Sequence, residues 1–340
     1  MTKRIGFFTR ILDDAEPATR YRLAREQIVH AERLGFDTAW IAQHHFNRDE
    51  GGQPAPFVFL ANVAAVTSRI RLGTGIVTLP LDEPVRVAED AAVLDHLSGG
   101  RLELGLGSGG TVSSFAAFGL DSADRGAIFG EKVATLRRAL RGEALGGGNR
   151  LYPDAGTLDR RIWQATFSAA GGARAGEAGD GLLLSRTQPR PEGRPNLSLA
   201  ELQLPIVEAY QAALPAGASP RILASRSVFV ADRRDEARRL ADAGLRRIAA
   251  HFVAQGHILL GDSLDDLLKA FDSHVGTPDE VAESLSRDGT LAHASEISVQ
   301  VHSIDPPHAA ILRSIELFAA EVAPALGWRE PARPALARAV

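Results

Sequence analysis

The chain has 340 residues, 45% hydrophobic and 24% charged, with 38 Lys+Arg against 42 Asp+Glu, a balance that excludes disordered and collagen-like classes. It contains no cysteine, which removes thiolate catalysis, iron–sulfur clusters and Cys-ligated zinc and fits a reducing compartment. A formal net charge of −4 gives no pull toward nucleic acid or anionic lipid. With no signal-peptide pattern and no run of about 18 apolar residues, a cytoplasmic protein without nucleic-acid or membrane partners is expected.

Short apolar runs alternate with amphipathic helices, the mark of parallel βα units. Ile5–Thr9 is predicted as the first strand, followed by a helix with Ala24, Ile28, Ala31 and Leu34 at helical spacing and Gly35 past its end. Strand Thr38–Ala42 and helix Pro56–Thr67 come next, then a Gly- and Thr-rich strand, Ile70–Leu79. Pro84 opens a third helix that Gly99 and Gly100 stop. Leu102–Leu106 reads as the fourth strand and Ile128–Leu140 as the fourth helix, and the polar stretch Gly142–Asp159 leads to strand Arg161–Ala165. A small-residue helix (Ala169–Ala178), a strand (Gly181–Leu184) and a loop rich in Pro and Arg (Arg186–Pro195) follow. Ile222–Val230 reads as a strand and Asp232 as the cap of the next helix. Residues 255–294 hold two helical stretches, Ser263–Ser273 and Pro278–Ser286, among polar loops; their length, polarity and glycines predict a mobile lid. Glu296–Val301 is the last strand, and Ile311, Ile315, Phe318 and Val322 form one face of a final helix. Trp328 onward reads as a loose tail, which gives one barrel domain over 1–327 and a tail over 328–340. Eight strand–helix units point to a (β/α)8 barrel, where chemistry lies at the C-terminal ends of the strands.

Gln43-His44-His45-Phe46 follows the second strand directly. An imidazole there can move a proton, since unperturbed histidine titrates near 6.5; both rings packing a loop is the plain alternative. Neighbouring residues of an extended segment point to opposite sides, so His44 and His45 do not read as ligands of one ion, and no metal site is predicted. Gly105–Gly110 matches GxGxxG but follows the fourth strand instead of opening the first βαβ unit, which counts against a dinucleotide fingerprint. The turn Ser108-Gly109-Gly110 still lets backbone N–H groups approach an anionic or planar ligand, or is simply a tight turn. Thr166, Phe167, Ser168 and Gly171 join the fifth strand to a helix whose free N–H groups form a phosphate seat, although plain capping by Ser168 fits the same residues. Glycines inside the third strand, Gly73 and Gly75, weaken it unless a bulge or a close ligand needs them.

Three stretches together resemble the bacterial luciferase-like flavin-dependent monooxygenases: Leu34–Phe46, Arg69–Asp95 running on into Leu-Ser-Gly-Gly-Arg-Leu, and Thr166–Gly181. Ser227–Asp232 and Gly276–Ala282 resemble later elements of that family, so the similarity runs from residue 4 to about residue 325. The resemblance implies a TIM barrel that binds FMN or the deazaflavin F420 at its C-terminal mouth. It implies His44 as the catalytic, ring-facing histidine with Gln43 beside the ring, His45 turned away into packing, and a non-proline cis peptide at Gly75–Ile76 against the flavin. The phosphate would then sit on Thr166, Phe167 (through its backbone), Ser168 and Gly171, and on the turn Ser108, Gly109 and Gly110. It further implies a two-component, FMN-dependent monooxygenase: a separate flavin reductase supplies reduced FMN, O2 and an unidentified small organic molecule are the substrates, and the protein is a homodimer. An F420-dependent hydride-transfer oxidoreductase or a non-catalytic flavin-binding protein are the alternatives. Gln43 stands where the family usually has Glu, Ser108 where the luciferases carry a phosphate-binding Arg, and Gly107 where they carry a reactive Cys. These departures argue against light emission from a long-chain aldehyde.

Overall fold

The alternating apolar runs become parallel strands in the computed structural model, which describes residues 2–330 except 255 and 257. In chain order these are β1 (Arg4–Thr9), β2 (Thr38–Ile41), β3 (Arg71–Thr74), β4 (Val77–Thr78), β5 (Leu102–Gly107), β6 (Ile162–Ala165), β7 (Gly181–Leu184), β8 (Ile222–Val230), β9 (Ser273–Gly276) and β10 (Glu296–Gln300). Eight of them pair in the order β1, β2, β3, β5, β6, β7, β8, β10, and β10 pairs back onto β1, closing a parallel barrel. Helices fill the connections. Pro84–Ser98, for example, has Pro at its start, where no N–H is needed, and ends at Gly99 in the left-handed region at φ 69°.

Period-two alternation decides what fills the barrel. Trp40 of β2 and Trp163 of β6 meet edge to face inside it, with ring centroids 5.7 Å apart. Glycines make the room: a Cβ on Gly73 would lie 2.2 Å from Trp40, and one on Gly181 would lie 2.1 Å from Trp163. The indole N–H groups donate to two buried carboxylates, Trp40 to Glu296 at 2.8 Å and Trp163 to Glu103 at 2.7 Å. Arg4 and Arg71 answer those charges at the N-terminal end of the strands. Phe8, Ile76, Leu183 and Leu223 pack on the tryptophan pair. The barrel is thus charged at its base and plugged by indoles in the middle, which leaves its C-terminal mouth for a ligand.

Three expectations change. The single strand drawn over Ile70–Leu79 is broken into β3 and β4 by a cis peptide at Gly75–Ile76. Within residues 255–294 the expected two helices among polar loops become a helix, a strand and a helix: Ser263 caps helix Leu264–Ala270, β9 pairs in register with the outer half of β8 (Ser227 with Ser273, Val230 with Gly276), and helix Pro278–Ser286 follows. The stretch lacked a strand signal because β9, Ser273-His274-Val275-Gly276, carries a single large apolar residue. Trp328 does not open a loose tail. It is buried beside Phe318, its carbonyl accepts the N–H of Lys3, and Arg329 pairs with Asp37 at 2.6 Å. The tail predicted over 331–340 lies outside the described residues.

Candidate functional site

The alternation that sends Trp40 into the barrel runs up the strands and, in β1 and β2, past their ends. From β1 it carries Phe8 on to Arg10, from β2 Trp40 on to Ala42 and His44, and from β8 Leu223 on to Ser225. These side chains, with Gln300 of β10, line a cavity of about 190 Å³ at the C-terminal mouth. Leu183, Leu184 and Arg186 close its far side, and Ala165 and Phe167 reach it from β6. A second cavity of about 100 Å³ shares His44, Gly75 and Ile76 with the first and is bounded by Gln43, His45, Gly109, Gly110 and Thr111. The two spaces meet at the cis peptide.

His44 is anchored by its backbone N–H, which donates to the Gln53 carbonyl at 3.0 Å. Its ring Nδ1 lies 3.6 Å from Glu50 Oε2, with 19% of the side chain exposed. Burial, and then the Arg10 guanidinium, push its pKa down to about 4. It is therefore a neutral imidazole at neutral pH and does not titrate near 6.5 as the sequence alone suggests. Glu50 is buried and accepts from Thr111 Oγ1 at 3.1 Å, and His251 Nε2 lies 3.5 Å from its other oxygen. The approach of His44 holds the Glu50 carboxyl below its ordinary range, so the pair is carboxylate and neutral histidine.

His45 packs on Phe46 and Phe118 and also faces a cavity. It lines the second cavity, with Nε2 buried and unpartnered, while its ring meets Phe118 edge-on at 5.1 Å. Gln43 lines the same cavity but spends its amide on the chain. It accepts from the Thr78 N–H at 2.6 Å and donates to the Pro54 carbonyl and Asp82, both at 3.1 Å. An uncharged amide that donates and accepts suits this brace better than a glutamate would. Gly109, at φ +80°, and Gly110 border the cavity, whereas Ser108 is half-buried and borders neither space.

In the turn after β6, Thr166 Oγ1 accepts from the Ser168 N–H at 3.1 Å, and Ser168 Oγ accepts from the Gly171 N–H at 3.2 Å. Ser168 thereby caps helix Ala169–Glu177 and leaves the N–H groups of exposed Ala169 and Ala170 at the surface. Gly171 is required by its neighbour, since a Cβ there would lie 2.0 Å from Thr166 Oγ1. Phe167 joins the turn to the larger cavity; Thr166, Ser168 and Gly171 stand beyond its lining.

Sequence reasoning missed the polar half of the mouth. Arg10, Gln300 and His302 continue the inward alternation of β1 and β10, and that period was the available signal. Glu50 and Arg186 sit on loops and gave none. His302 Nδ1 lies 2.7 Å from Asp305 Oδ2, and burial pushes the Asp305 carboxyl up to about 7. Arg186 donates to Ser227 at 3.2 Å and to Ser303 at 2.8 Å, and its guanidinium lies 5.2 Å from the Phe252 ring centre. Among the described residues no cluster of His, Cys, Asp or Glu could hold a metal ion.

Comparison with known proteins places this geometry. Monooxygenase RslO1 from Streptomyces bottropensis is 27% identical, covers 95% of this chain and 99% of its own, and superposes with a TM-score of 0.80. The oxygenating constituent of 3,6-diketocamphane monooxygenase from Pseudomonas putida, solved in complex with FMN, is 20% identical, covers 98% and 100%, and has a TM-score of 0.73. The F420-dependent tetrahydromethanopterin reductase of Methanopyrus kandleri, 21% identical over 95% and 99%, reaches 0.67. These last two share the fold with the chain. The chain spans about half the length, or less, of the curated relatives it matches. Residues 4–292 match the model of the luciferase-like monooxygenases, and the chain, a closed barrel with its cavity at the C-terminal mouth, belongs to that family.

Proposed function

We propose that the chain is the oxygenase of a two-component, FMN-dependent monooxygenase acting on a small organic substrate, with reduced FMN delivered by a separate reductase. The observation that carries this reading is the meeting of the two cavities at His44, Gly75 and Ile76, where peptide surface without a side chain adjoins a neutral imidazole. A planar heteroaromatic ring fits such a surface, and the unpartnered buried Nε2 of His45 suits its polar edge. Gly75 and Ile76 would hold the ring. Backbone N–H groups at Gly109 and Gly110 and in the turn Phe167–Gly171 would hold the phosphate.

When bound in its reduced form, the flavin would supply the electrons for O2 activation. The chain orients substrate and excludes water: the indole plug closes the floor, and Glu50 orients His44 through Nδ1. Nε2 is then the nitrogen left to accept a substrate proton. Absorbance titration with reduced FMN, oxidised FMN and F420, each alone and without O2, tests the reading. Reduced FMN is expected to bind; F420 binding without reduced-FMN binding would overturn it in favour of hydride transfer.

A further inference from the structure

Arginine side chains inside a protein are expected to face a carboxylate, because an unpaired buried charge is expensive. Two arginines at the mouth break that expectation. Among the described residues, neither Arg10 nor Arg186 has a carboxylate oxygen within 4.0 Å. Arg10 donates to the backbone carbonyl of Glu50 at 2.8 Å, and its Nε is buried with no partner. Arg186, only 6% exposed, donates to two serine hydroxyls. Both line the larger cavity.

The surrounding charges do not balance them. Glu50 is engaged by His44, Thr111 and His251. Asp305 acts on both arginines, but burial pushes its carboxyl up to about 7; Asp272, which also acts on Arg186, is taken up by Arg190 and Thr187. Burial and the charge of Arg10 bring Arg186 down to about 9, as like charges held together require. An anion entering the cavity would relieve this repulsion and take charge-assisted hydrogen bonds from both groups. Beside them Gln300 gives its N–H to Ser225 at 2.8 Å and leaves Oε1 buried without a donor. The rest of the wall is apolar: Phe8, Trp40, Leu183 and Leu223.

We infer that the substrate accepted at this mouth is an organic acid: an anionic head, carboxylate or acidic enol or phenol, held between Arg10 and Arg186, on an apolar, preferably aromatic body. An O–H or N–H next to the head would meet Gln300 Oε1. This assignment rests on the monooxygenase reading only in calling the anion the substrate. The arginines are specificity residues here, and His44 retains the proton role.

Calorimetric titration of the full chain at pH 7 with benzoate and with its neutral isostere benzamide tests the inference. Benzoate is expected to bind at least about tenfold more tightly. Arg186→Gln and Arg10→Gln should each erase most of that preference while leaving benzamide binding within about twofold. Equal binding of the two probes by the wild type needs no variant and overturns the inference, as does a preference that survives both substitutions. Parallel titration with oxidised and reduced FMN separates a second source of anionic charge, the reduced flavin ring. If the variants lose affinity for reduced FMN alone and the wild type ignores benzoate, the arginines serve the cofactor and the inference fails. If wild type prefers benzoate but binds no FMN, the anion site stands and the FMN reading falls.

Discussion

At the residue scale, the chemistry turns on how far His44 has been moved from an ordinary histidine. Burial and Arg10 keep it neutral at neutral pH, with its pKa near 4, the state that the proposed role of proton acceptor requires. His44→Ala should retain FMN binding while product formation falls about 10²–10⁴-fold, as for loss of one general base. The wild-type rate should also stay flat through the ordinary histidine range and fall only as pH approaches about 4. Product analysis across pH checks both, and an activity limb near 6.5 would give the proton role to another group. Gly73 offers a stability test: a Cβ there would meet Trp40 at 2.2 Å, so Gly73→Ala should cost about 1–3 kcal/mol in denaturant unfolding, the usual cost of overpacking. The place of His44 was legible because it lies in a local motif directly after a strand, and the Gly75–Ile76 bond was legible through the family resemblance. Arg10 and His302 were not, because seeing them requires following the inward period beyond the last hydrogen-bonded residue of β1 and β10.

At the scale of elements, short pieces with strong local signals were read correctly and the insertion after β8 was not. Pro and Gly mark helix Pro84–Ser98 at both ends, whereas β9 is four residues held by register with β8 and half-buried over most of its length. His274 on β9 gives this insertion a measurable signature. Its Nδ1 lies 2.8 Å from Ser284 Oγ, and burial followed by the Arg226 charge holds its pKa well below the ordinary value. Below about pH 6.5 the unfolded chain takes a proton that folded His274 refuses, so acidification costs stability, at most ~1.4 kcal/mol per pH unit. Wild type should therefore lose stability faster than His274→Gln between about pH 6.5 and 4.5; parallel unfolding curves would show that β9 does not keep the imidazole neutral. The turn after β6 separates capping from phosphate binding. Ser168→Ala should cost about 0.5–2 kcal/mol as a lost cap. If the same turn holds phosphate, that variant should weaken FMN binding and leave riboflavin, which lacks the phosphate, untouched.

For the whole molecule, the barrel was legible because eight βα units leave little topological choice, and the layering inside it was not, because the partners in each layer come from distant parts of the chain. Trp40 needs Gly73 and Glu296, and Trp163 needs Gly181 and Glu103. That plug also has an optical consequence. The chain has 3 tryptophans, of which Trp40 floors the cavity, Trp163 touches it edge-on, and Trp328 lies with Lys3 on the side of the barrel where the strands begin. Two of the three indoles that emit in the ultraviolet thus lie in the plug below the mouth. Filling the mouth with FMN should quench that emission by energy transfer to the isoalloxazine. Trp328→Phe should leave the quenching nearly intact, and replacing both Trp40 and Trp163 by Phe should remove much of it. A quench carried mainly by Trp328 would put the flavin at the wrong end of the barrel. The residues that seal the floor thus make the protein its own gauge of occupancy.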